Sequence, residues 1–411
     1  MEKVFACCAG LDVHKESVEA CVRRMEPNGH VHHETCHWGT MTQDLLAMAD
    51  WMAAQGVTHV AMESTGVFWK PIYNILEGRF TMLLVNARHL KQVPGRKSDV
   101  RDCQWIAQLL QYGLLKGSFI PPRSQRELRD LTRHRTQLVE EKSRTTNRIH
   151  KLLEDANIKL SSVATDILGL SGRAMLEALI QGEEDPVKLA DLAQRRLRGK
   201  IPELEKALEG HLTKHHRFML QLLCKQLAQQ EELIAELDSK IQEQTRPFAP
   251  EIDRLDAVPG VDRRVAEVVL AEVGADMKPF QTHQSLASWA GMCPGNEESA
   301  GKRQRRRITP GNRWLKRTLV QAAWGASRTK NSYLASQYRR LAGRRGRKRA
   351  LIAVGHSMLV IFYHMFKAGT SYSDLGGDFF DRLEPERLTR YYVKRLECLG
   401  HKVTLESCAA A

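Results

Sequence analysis

The chain has 411 residues, of which 42% are hydrophobic and 27% charged, a composition ordinary for a soluble globular protein of two or three domains. The nine cysteines show no paired CxxC spacing, which argues against a disulfide framework and for reduced thiols in the cytoplasm. The longest apolar run, residues 351–366, is interrupted by polar side chains and too short to span a bilayer, so no membrane partner is expected.

The first 120 residues have a mixed α/β pattern. Three strand-like segments are followed by alternating helical and strand-like segments. The predicted strands cover 4–13, 18–24, 30–38, 57–62 and 80–86, and the predicted helices cover 45–54, 69–76 and 99–115. This order is that of an RNase H-like domain, which we place at residues 1–120.

Four acidic residues stand at the ends of these elements. Asp12 ends the first strand and Glu63 the fourth, while Asp99 and Asp102 lie three apart at the start of the last helix. That spacing places both aspartates on one helical face. Carboxylates gathered at one sheet edge need a cation, and Mg²⁺ (or Mn²⁺) takes such oxygen ligands. Taken singly, the aspartates could instead cap a helix or occupy a turn.

The segment 121–247 is predicted to be helical, with two long charged helices. The second carries an apolar residue every three or four positions, except that Gln230 occupies one position of the repeat. This pattern is typical of a short coiled coil. Its apolar stripe requires a partner, which could be the first long helix, another protomer, or both. A compact, mainly α domain is predicted for 248–369, and 370–411 form a C-terminal extension.

Two features of the C-terminal domain suggest contact with nucleic acid. The Pro259–Gly260 turn is typical of a helix-hairpin-helix, whose backbone N–H groups face a DNA phosphate, although an ordinary turn between packed helices has the same pattern. Residues 301–350 hold seventeen Lys and Arg and no Asp or Glu, and they account for the whole net charge of +14. Ser299 directly precedes this basic segment. The neighbouring candidates for holding a scissile phosphate are Lys302, Arg303, Arg305, Arg306 and Arg307.

The ordered motifs resemble those of the insertion-sequence-110 family of transposases. At the N-terminus these are Gly10-Leu-Asp-Val-His-Lys15 and the Asp-x-x-Asp helix. At the C-terminus they are a serine followed by Gly301 and basic residues, and then Gly311-Asn-Arg-Trp-Leu-Lys-Arg317. Within the last motif, Asn312, Lys316 and Arg317 are assigned to nucleic-acid contact.

The resemblance implies a RuvC-like domain with a metal-binding DEDD set at Asp12, Glu63, Asp99 and Asp102. It also implies that Ser299 is the nucleophile in strand exchange through a phosphoserine. Further implied are DNA as substrate, an element-encoded guide RNA, and a homo-oligomer (dimer or tetramer) in the bacterial cytoplasm, associated with the nucleoid. Two alternatives stay open, namely a metal-dependent nuclease of the junction-resolvase kind and a non-catalytic nucleic-acid-binding protein.

Overall fold

The computed structural model describes residues 4–64, 66–86, 102–293, 298–299, 302–303 and 311–406. The chain divides into two compact units, Met1–Pro121 and Pro122–Ala411. Every cysteine among the described residues is a free thiol, as the sequence predicts.

The first unit is built on a five-stranded mixed sheet with the order β3-β2-β1-β4-β5. The three N-terminal strands pair antiparallel, while β4 pairs parallel with β1 and β5 parallel with β4. The strands are β1 (Cys7–Val13), β2 (Ser17–Met25), β3 (Val31–Gly39), β4 (His59–Glu63) and β5 (Thr81–Val85). The helices are α1 (Thr42–Ala54), α2 (Trp69–Leu76) and α3 (Asp102–Gln111). The predicted order of elements is therefore confirmed, and the sheet is compatible with an RNase H-like start.

The last predicted helix of this unit ends earlier than expected. Residues 99–101 lie outside the described residues, and α3 stops at Gln111 instead of reaching 115. Gly113 adopts a φ of +66°, a left-handed conformation that ends a helix without steric cost. The apolar Leu114 and Leu115 extend the periodic pattern past this stop, which explains the error in the prediction.

The two faces of the sheet bury different residues because strand side chains alternate. Leu11 and Val13 of β1 join a core with α1 and α2 residues such as Met48 and Ile72. Cys8, on the opposite face, packs with residues of α3. The even-numbered residues of β1 therefore project toward α3.

The second unit contains two long antiparallel helices, α4 (Arg123–Asp155) and α9 (Lys214–Thr245). Their ion pairs run in opposite chain directions, Arg135 with Asp238 and Lys142 with Glu231. The apolar stripe of α9 is buried at Leu220, Leu223, Leu227 and Ile241. Its partner in this chain is α4, which was one of the predicted possibilities.

Short helices between α4 and α9 form a separate hydrophobic core. They are α5 (Leu160–Val163), α6 (Leu170–Gln181), α7 (Pro186–Asp191) and α8 (Ile201–Leu208), with a 3₁₀ helix at Arg195–Lys200. Ile149 and Leu153 of α4 and Leu220 of α9 join this core. The long helices are therefore held together at this end by a helical cap.

The C-terminal region is helical, as predicted. Its helices are α10 (Ala249–Asp256), α11 (Arg263–Val273), α12 (His283–Trp289), α13 (Arg313–Ala326), α14 (Tyr333–Arg345), α15 (Arg347–Ala368), α16 (Phe379–Leu383) and α17 (Pro385–Cys398). By length and composition α15 could cross a membrane, but Val354, Met358, Leu359 and Phe362 on it are buried in the protein. Between α12 and α13 lie two short antiparallel strands, β6 (Glu298–Ser299) and β7 (Lys302–Arg303).

Candidate active site and nucleic-acid interface

Asp12 and Glu63 occupy adjacent positions on neighbouring parallel strands. In the β1–β4 register Leu11 pairs with Met62, so the next residue of each strand brings Asp12 beside Glu63. Parallel strands lie about 4.8 Å apart. Leu11 and Met62 belong to the core on the α1–α2 face, and alternation therefore directs both acids to the face that α3 covers.

Helix α3 brings Asp102 to the same face. Its second residue, Cys103, is buried with Cys21 of β2, and its thiol lies within electrostatic reach of Asp12. Burial, with smaller contributions from Cys21, Glu19 and Asp12, raises the pKa of Cys103 to about 12. The carboxylates thus face the N-terminal end of α3. Asp99, the fourth acid of the predicted set, lies outside the described residues.

Asp12 is a partly shielded carboxylate with polar neighbours. Its side chain is 21% exposed, and its Oδ2 lies 3.2 Å from Nε2 of His14. Glu19 of β2 pairs directly with Asp12 in the antiparallel register. The Oε1 of Glu19 lies 2.8 Å from Nδ1 of His37. The sequence analysis missed Glu19. The register of the β1–β2 hairpin is the signal that identifies it, because residues directly opposite share a face of the sheet.

The donor chemistry of this face fits a hard divalent cation. Carboxylate oxygens are the ligands that Mg²⁺ accepts, usually with several retained waters. Among the described residues, which exclude Asp99, no three His, Cys, Asp or Glu side chains converge closely enough to hold a metal ion. The structure thus brings the strand acids to one face, and the metal site stays a prediction.

Ser299 lies on one strand of a tight hairpin. It pairs with Lys302, and Glu298 pairs with Arg303. The backbone therefore places Ser299 directly opposite Lys302, the first basic residue of this segment. The other candidate phosphate contacts of this segment, Arg305, Arg306 and Arg307, lie outside the described residues.

The segment that carries Ser299 leaves and re-enters the domain at one point. The N–H of Asn312 donates to the carbonyl oxygen of Trp289, with an N–O distance of 3.3 Å. A Cβ added to Gly311 would lie 2.5 Å from Cα of Gly291, so only glycine fits there. We refer to residues 291–311 as the serine loop, and to the contact between its two ends as its base.

Three residues at the start of α13 are assigned to nucleic-acid contact from the sequence. Oδ1 of Asn312 accepts from the N–H groups of Trp314 and Leu315, at 3.0 and 3.1 Å, and so caps α13. Arg317 forms an ion pair with Glu140 of α4. Lys316 lies on the first turn of α13. The assignment of Asn312, Lys316 and Arg317 to nucleic acid stays a prediction, and for Asn312 the structure adds a capping role.

A buried carboxylate contacts Asn312, the residue that follows the serine loop, and the sequence analysis missed it. The side chain of Glu272 on α11 is fully buried. It accepts two hydrogen bonds from Arg133, at 2.7 and 2.8 Å, and one from Nδ2 of Asn312 at 2.6 Å. Arg129 adds an ion pair at 3.4 Å and donates to the backbone oxygen of Glu272. Burial lowers the pKa of Arg129 to about 10, although the charge of Glu272 opposes that shift.

The predicted Pro-Gly turn links α10 and α11 and contacts α13. Gly260 has a φ of +81°, and a Cβ there would lie 2.9 Å from Cα of Ala326. Glycine at this position is therefore explained by packing, which an ordinary turn also requires. Contact of Gly260 with a DNA phosphate stays a prediction.

Two family models match the chain at its two ends. An IS110-type DEDD model described as a transposase matches residues 9–158, and the model of the Transposase IS116/IS110/IS902 family matches residues 252–339. Together they cover more than half of the 411 residues. This chain belongs to the IS110 family of transposases. The first matched range includes Asp12, Glu63 and Asp102, and the second includes Ser299.

Membership in the IS110 family gives the general activity. A transposase cleaves and rejoins DNA, so DNA is a partner of this protein and the insertion sequence is the element that it moves. A comparison with curated proteins returned no match. The reaction chemistry of this IS110 transposase therefore has to be argued from its own residues.

Proposed function

We propose that this IS110 transposase exchanges DNA strands through a phosphoserine on Ser299, assisted by Mg²⁺ held by Asp12, Glu63, Asp99 and Asp102. The observation that carries the proposal is the placement of Asp12 beside Glu63 on the face covered by α3. A second support is the hairpin that places Ser299 opposite Lys302. Bound Mg²⁺ would polarise phosphoryl oxygens and stabilise charge in the transition state.

The reaction has two balanced steps. In the first, the Oγ of Ser299 attacks a backbone phosphorus, an O–P bond forms, and the bond from phosphorus to one DNA ester oxygen breaks. The serine proton passes to a base, and the departing oxygen takes a proton to become a hydroxyl. In the second, a hydroxyl of the recipient strand attacks the phosphoserine and regenerates Ser299. Each step exchanges one phosphodiester for another, so no external energy source is needed.

The basic residues would hold the DNA during these steps. Lys302, Arg303, Arg305, Arg306 and Arg307 supply positive charge next to the nucleophile, where it stabilises the phosphoryl transition state. Lys316 and Arg317 would bind phosphates further along the strand, and the turn at Gly260 would do so in the manner of a helix-hairpin-helix. Asn312 would position the segment that carries Lys316 and Arg317, because it caps α13.

Assembly and target choice complete the proposal. The α4–α9 pair would act as a coiled coil that also contacts other copies in a dimer or tetramer, since its outer surface is long and charged. A guide RNA from the same element would select donor and target DNA at the nucleoid. Both points rest on the family resemblance.

The test is the formation of a covalent protein–DNA adduct. The protein is incubated with junction DNA of its element, the flanking noncoding RNA and Mg²⁺, and the products are separated on a denaturing gel. We expect an adduct that requires Ser299, Asp12 and the cation. Mass spectrometry after nuclease digestion should place the phosphate on Ser299.

Matched controls separate the three functions that the sequence leaves open. Ser299→Ala and Asp12→Ala should abolish the adduct, whereas Ser239→Ala and Glu16→Ala alter an exposed serine and an exposed acid elsewhere and should not. Cleavage that survives Ser299→Ala without an adduct would instead favour a metal-dependent nuclease. Unchanged activity in Asp12→Ala would favour a non-catalytic nucleic-acid-binding protein.

A further inference from the structure

The network of Glu272 connects to both sides of the serine loop's base. On the downstream side, Asn312 donates to Glu272 and caps α13 with the same side chain. On the upstream side, the guanidinium of Arg129 lies 5.7 Å from the ring centroid of Trp289, two residues before the loop. A single buried carboxylate therefore contacts one side of the base directly and the other through Arg129.

The same network joins the loop to the long helix α4. Arg129 and Arg133 lie one turn apart on α4, and both bind Glu272. The guanidinium of Arg133 also lies 5.9 Å from the ring of Trp314 on α13. Arg129 donates to the backbone oxygens of Ala271 and Glu272 at the end of α11. Three helices and the loop's base thus share one set of contacts.

Breaking a single contact of this network is energetically costly. A fully buried charge that loses a partner is left uncompensated, and the cost of that state keeps the partners together. The two parallel hydrogen bonds from Arg133 to Glu272 fix the relative orientation of the two side chains as well as the distance between them. Positioning groups matter for rate because a misplacement of about 1 Å can cost about 100-fold.

We propose that Glu272 is a positioning residue that, through Asn312, Arg129 and Arg133, fixes the base of the serine loop and hence the place of Ser299 relative to α4. This inference rests on the proposed role of Ser299 as nucleophile. It assigns no chemical step to Glu272 itself. We refer to Glu272, Asn312, Arg129 and Arg133 together as the clamp. Helix α4 begins at Arg123, directly after the first unit ends at residue 121. The clamp therefore attaches the base of the serine loop to the helix that follows the acidic domain in the chain.

The chain contains a matched control for this carboxylate. Glu267 lies on the same helix, has a side chain 2% exposed, and also binds two arginines. Those partners, Arg263 and Arg264, come from the first turn of α11 itself and not from α4. Replacing Glu267 removes a buried carboxylate of the same kind while leaving the contacts of Glu272 in place.

The experiment compares Glu272→Gln with Glu267→Gln in the full-length protein. Three quantities are measured, namely the single-turnover rate of adduct formation, the Kd for junction DNA, and the Tm. We expect Glu272→Gln to slow the adduct about 10- to 100-fold with a Kd within about twofold of wild type. Glu267→Gln should lower the Tm but change the rate less than about threefold. Equal rate losses in both variants, or no loss in Glu272→Gln, would overturn the proposal.

A second variant guards against a misfolded protein. Arg133→Lys keeps the positive charge on a side chain that is 31% exposed, but it removes the two-pronged contact with Glu272. It should fold, and it should slow the adduct by a smaller factor than Glu272→Gln. A wild-type rate in Arg133→Lys would contradict the clamp.

Hydrogen exchange separates failure of the clamp from failure of the serine mechanism. In Glu272→Gln the backbone amide of Asn312, which donates to Trp289, should exchange at least about tenfold faster, whereas in Glu267→Gln it should not. If wild-type protein forms no adduct but this difference is observed, the proposed function fails and the clamp stands. If wild type forms the adduct and the amide is unaffected in Glu272→Gln, the clamp fails alone.

Discussion

Gly10 provides a direct test of how the acidic face is assembled. A Cβ at this position would lie 2.9 Å from Cα of Ala107, and closer still to two backbone polar atoms of α3. Ordinary contact begins at 3.4 Å and the nearest atom, N of Ala107, would lie at 2.3 Å, so α3 would have to move away by about 1.1 Å, the difference between the two distances. Overpacking of this kind costs about 1–3 kcal/mol. We therefore expect Gly10→Ala to lower the free energy of unfolding by that amount.

The displacement has a second consequence, because α3 begins with Asp102. If Asp12 and Asp102 hold a cation together, as proposed above, moving the helix would separate them, and binding of Mn²⁺, measured by calorimetry, should weaken together with stability. Gly78→Ala is the control, since a Cβ there meets nothing within 4 Å and the residue lies in the same unit. Urea denaturation of both variants measures the stability effect. A Gly10→Ala protein as stable as Gly78→Ala, with unchanged Mn²⁺ affinity, would refute the argument.

Three further predictions concern other parts of the chain. Gln230 is 7% exposed and its Oε1 finds no partner among the described residues, so Gln230→Leu should stabilise the protein by about 1 kcal/mol in thermal unfolding, whereas the exposed Gln229→Leu should not. Burial raises the pKa values of Cys8 and Cys103 from 9.0 to about 12, so the folded protein holds these thiol protons more tightly. Stability should thus be intact below pH 9 and decline as pH rises toward 12, and alanine at both positions should reduce that decline in a pH series of urea titrations. Gly260→Ala should cost about 2–5 kcal/mol, because it combines a left-handed backbone with a clash against α13, and a Tm equal to wild type would contradict that packing.

The sequence predicted the order of strands, and the placing of Asp12 and Glu63 late in two of them, because both depend on local patterns. Strand periodicity and the strand-end positions of Asp12 and Glu63 are visible in short windows, and pairing of β1 with β4 then follows from parallel α/β topology. The end of α3 was misplaced because the apolar pattern continues past Gly113, whose backbone conformation stops the helix.

The contacts around the serine loop could not be predicted in the same way. Arg129 and Arg133 look like solvated charges on a highly charged helix, and Glu272 lies more than a hundred residues further along the chain. Their pairing depends on how α4 packs against α11, which no local pattern specifies. Likewise Glu19 becomes part of the acidic face only through the register of a hairpin.

The closed base of the serine loop has a consequence for protein engineering. Because Gly291 and Gly311 meet, the chain leaves and re-enters the helical domain at one point, and Met292, the residue after Gly291, is buried and lies close to Gly355 of α15. The segment is thus a natural cassette. A loop taken from a relative of different target preference, inserted after the buried Met292 and before Gly311, should leave the helical frame intact, so that its effect on catalysis can be measured separately from its effect on folding.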